Sequence, residues 1–232
     1  IEFEAEFLKT AVDIRKFEIR GNDFNIASSC YIPIDNVAKG MSLSVRSSMM
    51  PMARFKALFP APVTPTWIGK RLLPLFTGGR AKLSNLLIQG GFDKITGLDK
   101  NENASSLLLD IDLDSINVAD FGGGLESQTV SANVLLDNGR LKISNVNGLI
   151  GKSRIREAVY DYVDTYADKS LENWLISGNF SLTDLHTISE SGISPLIVRN
   201  IAKDIHDTEG FLDGDIRFSY HPGWEFISIK GG

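Results

Sequence analysis

Residues 104–118, ASSLLLDIDLDSINV, alternate almost without interruption between apolar and polar side chains. In an extended chain Leu107, Leu109, Ile111 and Leu113 share one face, and Leu108, Asp110, Asp112 and Asp114 the other, because strand side chains switch sides at every residue. Leaving such apolar side chains in water would forfeit roughly 1.5–3 kcal/mol each, so the greasy face must be covered. The cover is a filled core, a partner sheet or an apolar ligand, and which of these it is decides what the chain does.

Short runs of the same kind recur along the chain, each ended by Gly, Asn, Asp or Pro, the pattern of an antiparallel meander. KFEIRG, DFNIASSCYI and MSLSVRS open the series. RAKLSNLLI, SLLLDIDLDSI, the paired runs of QTVSANVLLDNGRLKISNVNGLI, and SRIREAVYDYV form its middle; NWLISGNFSL, GFLDGDIRFSY and WEFISIK close it. That makes about ten strands. Asp137, Asn138 and Gly139 predict a hairpin between runs carrying Val134 and Leu141, since these turn residues tolerate positive φ. Helical signals are fewer. Thr64 and Pro65 start a predicted helix over residues 64–76; Ser194 and Pro195 start another, with Ile197, Ile201 and Ile205 on one stripe and Gly210 beyond its end. A shorter helix is expected within residues 50–60. The expected fold is therefore mainly β: a long curved antiparallel meander, a half-barrel or groove, partly covered by two or three short amphipathic helices.

The 232 residues suit a single β-rich domain spanning 1–232. A net charge of −5 offers no electrostatic footprint for nucleic acid. The longest apolar runs, such as LLPLF at residues 72–76, fall far short of the roughly 20 residues of a membrane-spanning helix. The chain opens on IEFEAEFLKT, without Met or an apolar leader, and reads as a piece of a longer protein whose signal or anchor lies outside it. Its one cysteine, Cys30, excludes an intrachain disulfide framework and reads as a small buried hydrophobe.

Chemistry-bearing patterns are scarce. His186, His206 and His221 are scattered, no two of them at the helical spacing that would set two imidazoles on one metal, and no G-x-S-x-G turn provides a nucleophile. Asp110, Asp112 and Asp114 superficially match a calcium loop, but Ser115 and Phe121 stand where Gly and Glu are required. On a strand those acids lie about 7 Å apart along one wet face, too far to wrap one ion. FGGG at residues 121–124 lacks the Lys and Ser or Thr of a phosphate loop. No catalytic residue, metal or cofactor is expected.

One further pattern carries a resemblance. Gly78, Gly79, Leu83, Leu86 and Ile88, then Val130, Ala132, Val134, Gly139, Leu141 and Ile143, then Gly148, Gly151, Ser153 and Ile155, follow one another as strand, glycine turn, strand. Over residues 67–230 this order resembles the AsmA-like family of bacterial envelope proteins. The resemblance implies a non-catalytic periplasmic module of a protein anchored to the inner membrane, sheltering or conducting phospholipid or other acyl-chain lipid along an apolar β-groove in outer-membrane lipid homeostasis. Its partners would be lipids and bacterial membranes, with Leu107, Leu109, Ile111, Leu113, Val130, Ala132, Val134, Leu141 and Ile143 lining the groove. The same side chains serve equally as the filling of a packed core, and the spacing leaves both open. The competing class is a surface polysaccharide-binding or adhesion β domain, for which Trp67, Trp174, Trp224, Tyr160, Tyr162 and Tyr166 are the aromatic candidates. A hydrolase is disfavoured by the shortage of histidines.

Overall fold

The computed structural model describes residues 1–35, 40–59, 73–118, 125, 127–166, 171–190 and 209–231. Among them the strands are β1 (Glu2–Phe7), β2 (Ala11–Arg20), β3 (Asn25–Pro33), β4 (Met41–Ser47), β5 (Met50–Pro51), β6 (Arg80–Gly90) and β7 (Leu107–Val118), followed by β8 (Ser127–Asp137), β9 (Arg140–Ile150), β10 (Ser153–Tyr162), β11 (Glu172–Ser181), β12 (Phe211–His221) and β13 (Trp224–Gly231). The helices are α1 (Met52–Leu58), α2 (Phe92–Thr96) and α3 (Leu182–Glu190), with 3₁₀ turns at Leu73–Leu75 and Asn101–Ser106.

Every long strand pairs with its neighbours in chain order, giving one open sheet from β1 to β13, with the short β5 paired to β6 off the main path. The protein is thus mainly antiparallel β with a few short helices. Two strands exceed the set read from the sequence: β1, whose EFEAEF alternates as strictly as β7, and the two-residue β5. The hairpin forms where predicted. Asn138 and Gly139 take φ of 47° and 75° between β8 and β9, the pair of positive angles a two-residue hairpin turn requires. Helix α1 falls within residues 50–60 as expected, whereas α2 and α3 were not foreseen. The helix predicted over 194–210 and most of the one over 64–76 lie outside the described residues; Leu73–Leu75 of the latter is a 3₁₀ turn.

Contacts gather into two compact units, one comprising Ile1–Pro74, Arg80–Asp112 and Val134–Arg140, the other Leu75–Gly79, Leu113–Asn133 and Leu141–Gly232. In the first unit α1, α2 and the 3₁₀ turn at Asn101–Ser106 pack on β6. Met52 and Phe55 of α1, Ala104 of the turn, and Leu83, Leu86 and Ile88 of β6 are buried there.

In the second unit Ile150, Ile155, Ala158 and Phe180 form a core, extended by Ile176, Leu185, Leu212 and Ile216. Beside it, buried Asp184 near the start of α3 clamps the turn between β9 and β10. The Lys152 and Ser153 backbone N–H groups and the Ser153 hydroxyl each donate to its Oδ2 at 2.7 Å. The Ser181 N–H donates to Ser153 Oγ at 2.9 Å, so the polar groups of this knot satisfy one another. Gly151 lies at φ +57°, and a Cβ there would stand 2.6 Å from an Asp184 oxygen, which leaves room only for glycine.

Candidate functional site

The registers of β1 to β4 and β6, all in the first unit, build one face from the residues upward. Side chains directly opposite in an antiparallel ladder lie on the same side, so paired residues can be followed from strand to strand. One row runs Phe3, Phe17, Ser28, Val45, Leu86. The next runs Ala5, Ile14, Cys30, Leu43, Ile88. A third runs Phe7, Val12, Ile32. None of these side chains is charged. One irregularity keeps the rows aligned: the register shift opposite Glu4 and Ala5 of β1 and the shift between Ile14 and Phe17 both mark an extra residue at Arg15 and Lys16 of β2. An extra residue in one strand restores to this side the apolar side chains that strict alternation would send to the other.

The opposite side of the same strands is ionic. Glu2, Glu4 and Glu6 of β1 stand over Glu18, Lys16 and Asp13 of β2. Arg15 pairs with Glu6, and Lys16 with Glu2 at 2.8 Å. Arg20 grips Glu18 through two nitrogens at 2.8 and 2.9 Å, and Asn25 donates to the same carboxylate at 2.8 Å. These bonds, Arg20 first and Asn25 next, hold the Glu18 carboxyl far below the usual carboxylate range. The edge of the sheet is therefore two-sided: charge on one face, hydrocarbon and aromatic rings on the other.

Exposure divides the apolar face. Leu86 and Ile88 on β6 are buried, whereas Val12, Ile14, Phe17, Cys30, Leu43 and Val45 are only partly covered. Phe3, Phe7 and Ile32 keep 60%, 79% and 37% of their surface in water. Across five strands at the usual spacing the face is about 19 Å wide. A contiguous exposed apolar patch of this kind marks an interaction site more often than chance. Where α1 meets the face, Ile26, Val45, Leu83, Phe55, Leu58 and Phe59 line a small apolar cleft of about 70 Å³.

The residues expected to line a groove lie elsewhere. Leu107, Leu109, Ile111, Leu113, Val130, Ala132, Val134 and Leu141 are buried, with 1–8% of their surface exposed, and Ile143 is partly buried. In the chain as folded they have the burial of a packed core, and water does not reach them. Asp112 opposite them binds Lys82 and Ser84, and Asp114 binds Ser115 and Ser131. Burial, and then the neighbouring Asp112, raise the Asp110 carboxyl above its ordinary value. The acid row is a half-wet sheet face, and among the described residues no group of His, Cys, Asp and Glu is placed to hold a metal ion. No helix among them is long and apolar enough to cross a membrane.

The signal for the open face was present in the sequence. EFEAEF alternates, and Val12, Ile14, Phe17 and Ile19 form two spacings of two separated by one of three, the trace of a bulge. The second unit holds an aromatic face: Tyr160 lies 4.2 Å from Trp174 and 6.2 Å from Tyr162 between ring centroids, and Trp174 pairs with Phe218. Glu172, on the same face, accepts a hydrogen bond from Trp174 and has its carboxyl raised by burial. Trp67 and the Trp224 side chain lie outside the described residues. No family model, no curated protein and no solved structure matches the chain.

Proposed function

We propose that the chain is a non-catalytic module that takes up the acyl portion of an amphiphile on the apolar face of β1 to β4, in a bacterial envelope setting. The observation that carries this reading is the uncharged face itself, whose Phe3, Phe7 and Ile32 stay wet where burial would be worth roughly 1.5–3 kcal/mol per side chain. The uptake is partitioning: hydrocarbon leaves water for a surface whose side chains gain the same cover. No proton, metal or cofactor takes part. The resemblance to the AsmA-like family points to the same class of cargo, acyl-chain lipid, and to the periplasm as the place.

Cys30, the chain's one cysteine, stands in the middle row of this face with its thiol raised by burial, and it reports occupancy. Adding a soluble amphiphile such as decanoate below its micelle concentration should slow alkylation of Cys30, and native mass spectrometry of protein from bacteria should find co-purified phospholipid. Leu43→Glu should abolish both while the far-ultraviolet spectrum stays that of a β protein. An alkylation rate indifferent to amphiphile, with no lipid in the purified protein, defeats the reading.

A second reading has its own observation. The Tyr160, Tyr162 and Trp174 face with Glu172 at its end offers stacking surface and a hydrogen-bond acceptor suited to a sugar. Binding to a glycan array lost on Trp174→Ala, with no lipid captured, would favour a polysaccharide-binding or adhesion module.

A further inference from the structure

The apolar rows end, at the start of β4, on something of different chemistry. Met41 pairs with Gly90 just beyond Leu43 and Ile88, and there an open depression of about 400 Å³ is lined by Lys94, Ser42, Ser105 and Ser106 together with Met41 and Gly90. None of its lining side chains is acidic. Gly90, at φ +142°, leaves the space clear: a Cβ built on it would stand 3.1 Å from Ser106 Oγ and 3.5 Å from Cβ and Cδ of Lys94. Ser106 is only 3% exposed as a residue, and its hydroxyl, with no protein partner among the described residues, opens onto the depression. Lys94 likewise makes no ion pair among the described residues.

We propose that this depression is a subsite for a phosphate group, with the Lys94 ammonium as counter-charge and the Ser105 and Ser106 hydroxyls as donors. The assignment rests on the acyl-binding reading of the adjoining face and gives its cargo a polarity. Strand β4 runs about 20 Å from Met41 to Ser47, with the polar depression at its first end and the apolar cleft under α1 at its other. An amphiphile lying along it has its headgroup at Lys94, its chain over Leu43 and Val45, and its tail toward Phe55 and Phe59. The lysine and hydroxyls favour a phosphate because charge-assisted bonds to an anion's several oxygens are the strong ones.

The test titrates the whole chain with dihexanoyl phosphatidic acid, with dihexanoylglycerol as its neutral counterpart, and with inorganic phosphate, by calorimetry. The charged amphiphile should bind about tenfold more tightly than the neutral one. Lys94→Glu and Ser106→Ala should remove that margin and leave dihexanoylglycerol binding unchanged, and Lys94→Arg should retain it. Equal affinity for the two amphiphiles, or a Lys94→Glu protein that keeps the margin, overturns the subsite while the acyl face stands. Binding of inorganic phosphate that depends on Lys94, with neither amphiphile bound, supports the phosphate site, identifies free phosphate as its source, and removes the acyl reading instead.

Discussion

Strands β7 and β1 belong to the same open sheet and carry the same alternation, yet the apolar side chains of β7 are sealed from water and those of β1 stand in it. In the first unit the short helices rest chiefly on β6, so cover is concentrated there and thins toward β1. Alternation fixes that a strand has a greasy side. Long-range packing decides whether that side becomes core or surface. Two regions written in one local code thus end differently, one sealed inside the fold and one left partly in water.

The sharpest way to break this contrast is a buried charge. Ile111→Glu places a carboxylate among side chains that water does not reach and should abolish cooperative folding, seen as loss of the thermal transition, whereas Leu43→Glu on the open face should fold. If both proteins fold alike, the two faces are not different. Next in size, Leu109→Ala should lower stability by about 2–5 kcal/mol in a denaturant titration, through lost transfer energy and the cavity left behind. The same truncation at Leu43 should cost clearly less, since part of its surface is already wet.

The ionic back of the open region sets a pH dependence. Because Glu18 has its carboxyl depressed in the folded chain, its contribution is complete above the ordinary carboxylate value of about 4.3 and is lost as pH falls toward the lower folded value. The wild-type denaturation midpoint should therefore drop on acidification below about pH 5. Glu18→Gln should flatten that slope; an equally steep one would place the acid sensitivity elsewhere. The smallest effect is expected at the edge. Phe7→Ser should shift stability by no more than about 0.5 kcal/mol, because the ring is mostly exposed already, while lowering binding of a hydrophobic dye. A large loss of stability there would mean that the edge is covered in solution.

Much of this architecture was legible in the residues. The alternating runs marked β7 to β10, and Asn138–Gly139 marked the hairpin, because side-chain period and turn chemistry are local properties. Strand β1 is less legible: EFEAEF alternates cleanly, but its apolar positions are only Phe3, Ala5 and Phe7 between glutamates, too short a run to stand out from a solvated segment. Helix α3 carries only a modest apolar stripe, and the Asp184 that anchors it acts on residues far away in sequence, so no short window displays it. The candidate face was the least legible part. Its rows join five strands through registers set by a bulge in β2, and its openness depends on where the helices sit. The leucines that look most like a groove wall are buried, and alternation alone is equally conspicuous for a lining and for a packed interior.

The proposed uptake of hydrocarbon on β1 to β4, and not within β7, meets its most direct test in solution. A fatty acid carrying a spin label on its chain, added to protein with methyl-labelled Ile, Leu and Val, tests it directly by nuclear magnetic resonance. Broadening of the Ile14, Ile32, Leu43 and Val45 methyl signals, with those of Leu107, Leu109 and Ile111 left sharp, is the expected result. Broadening confined to the β7 methyls, or none at all at saturating probe, would contradict it.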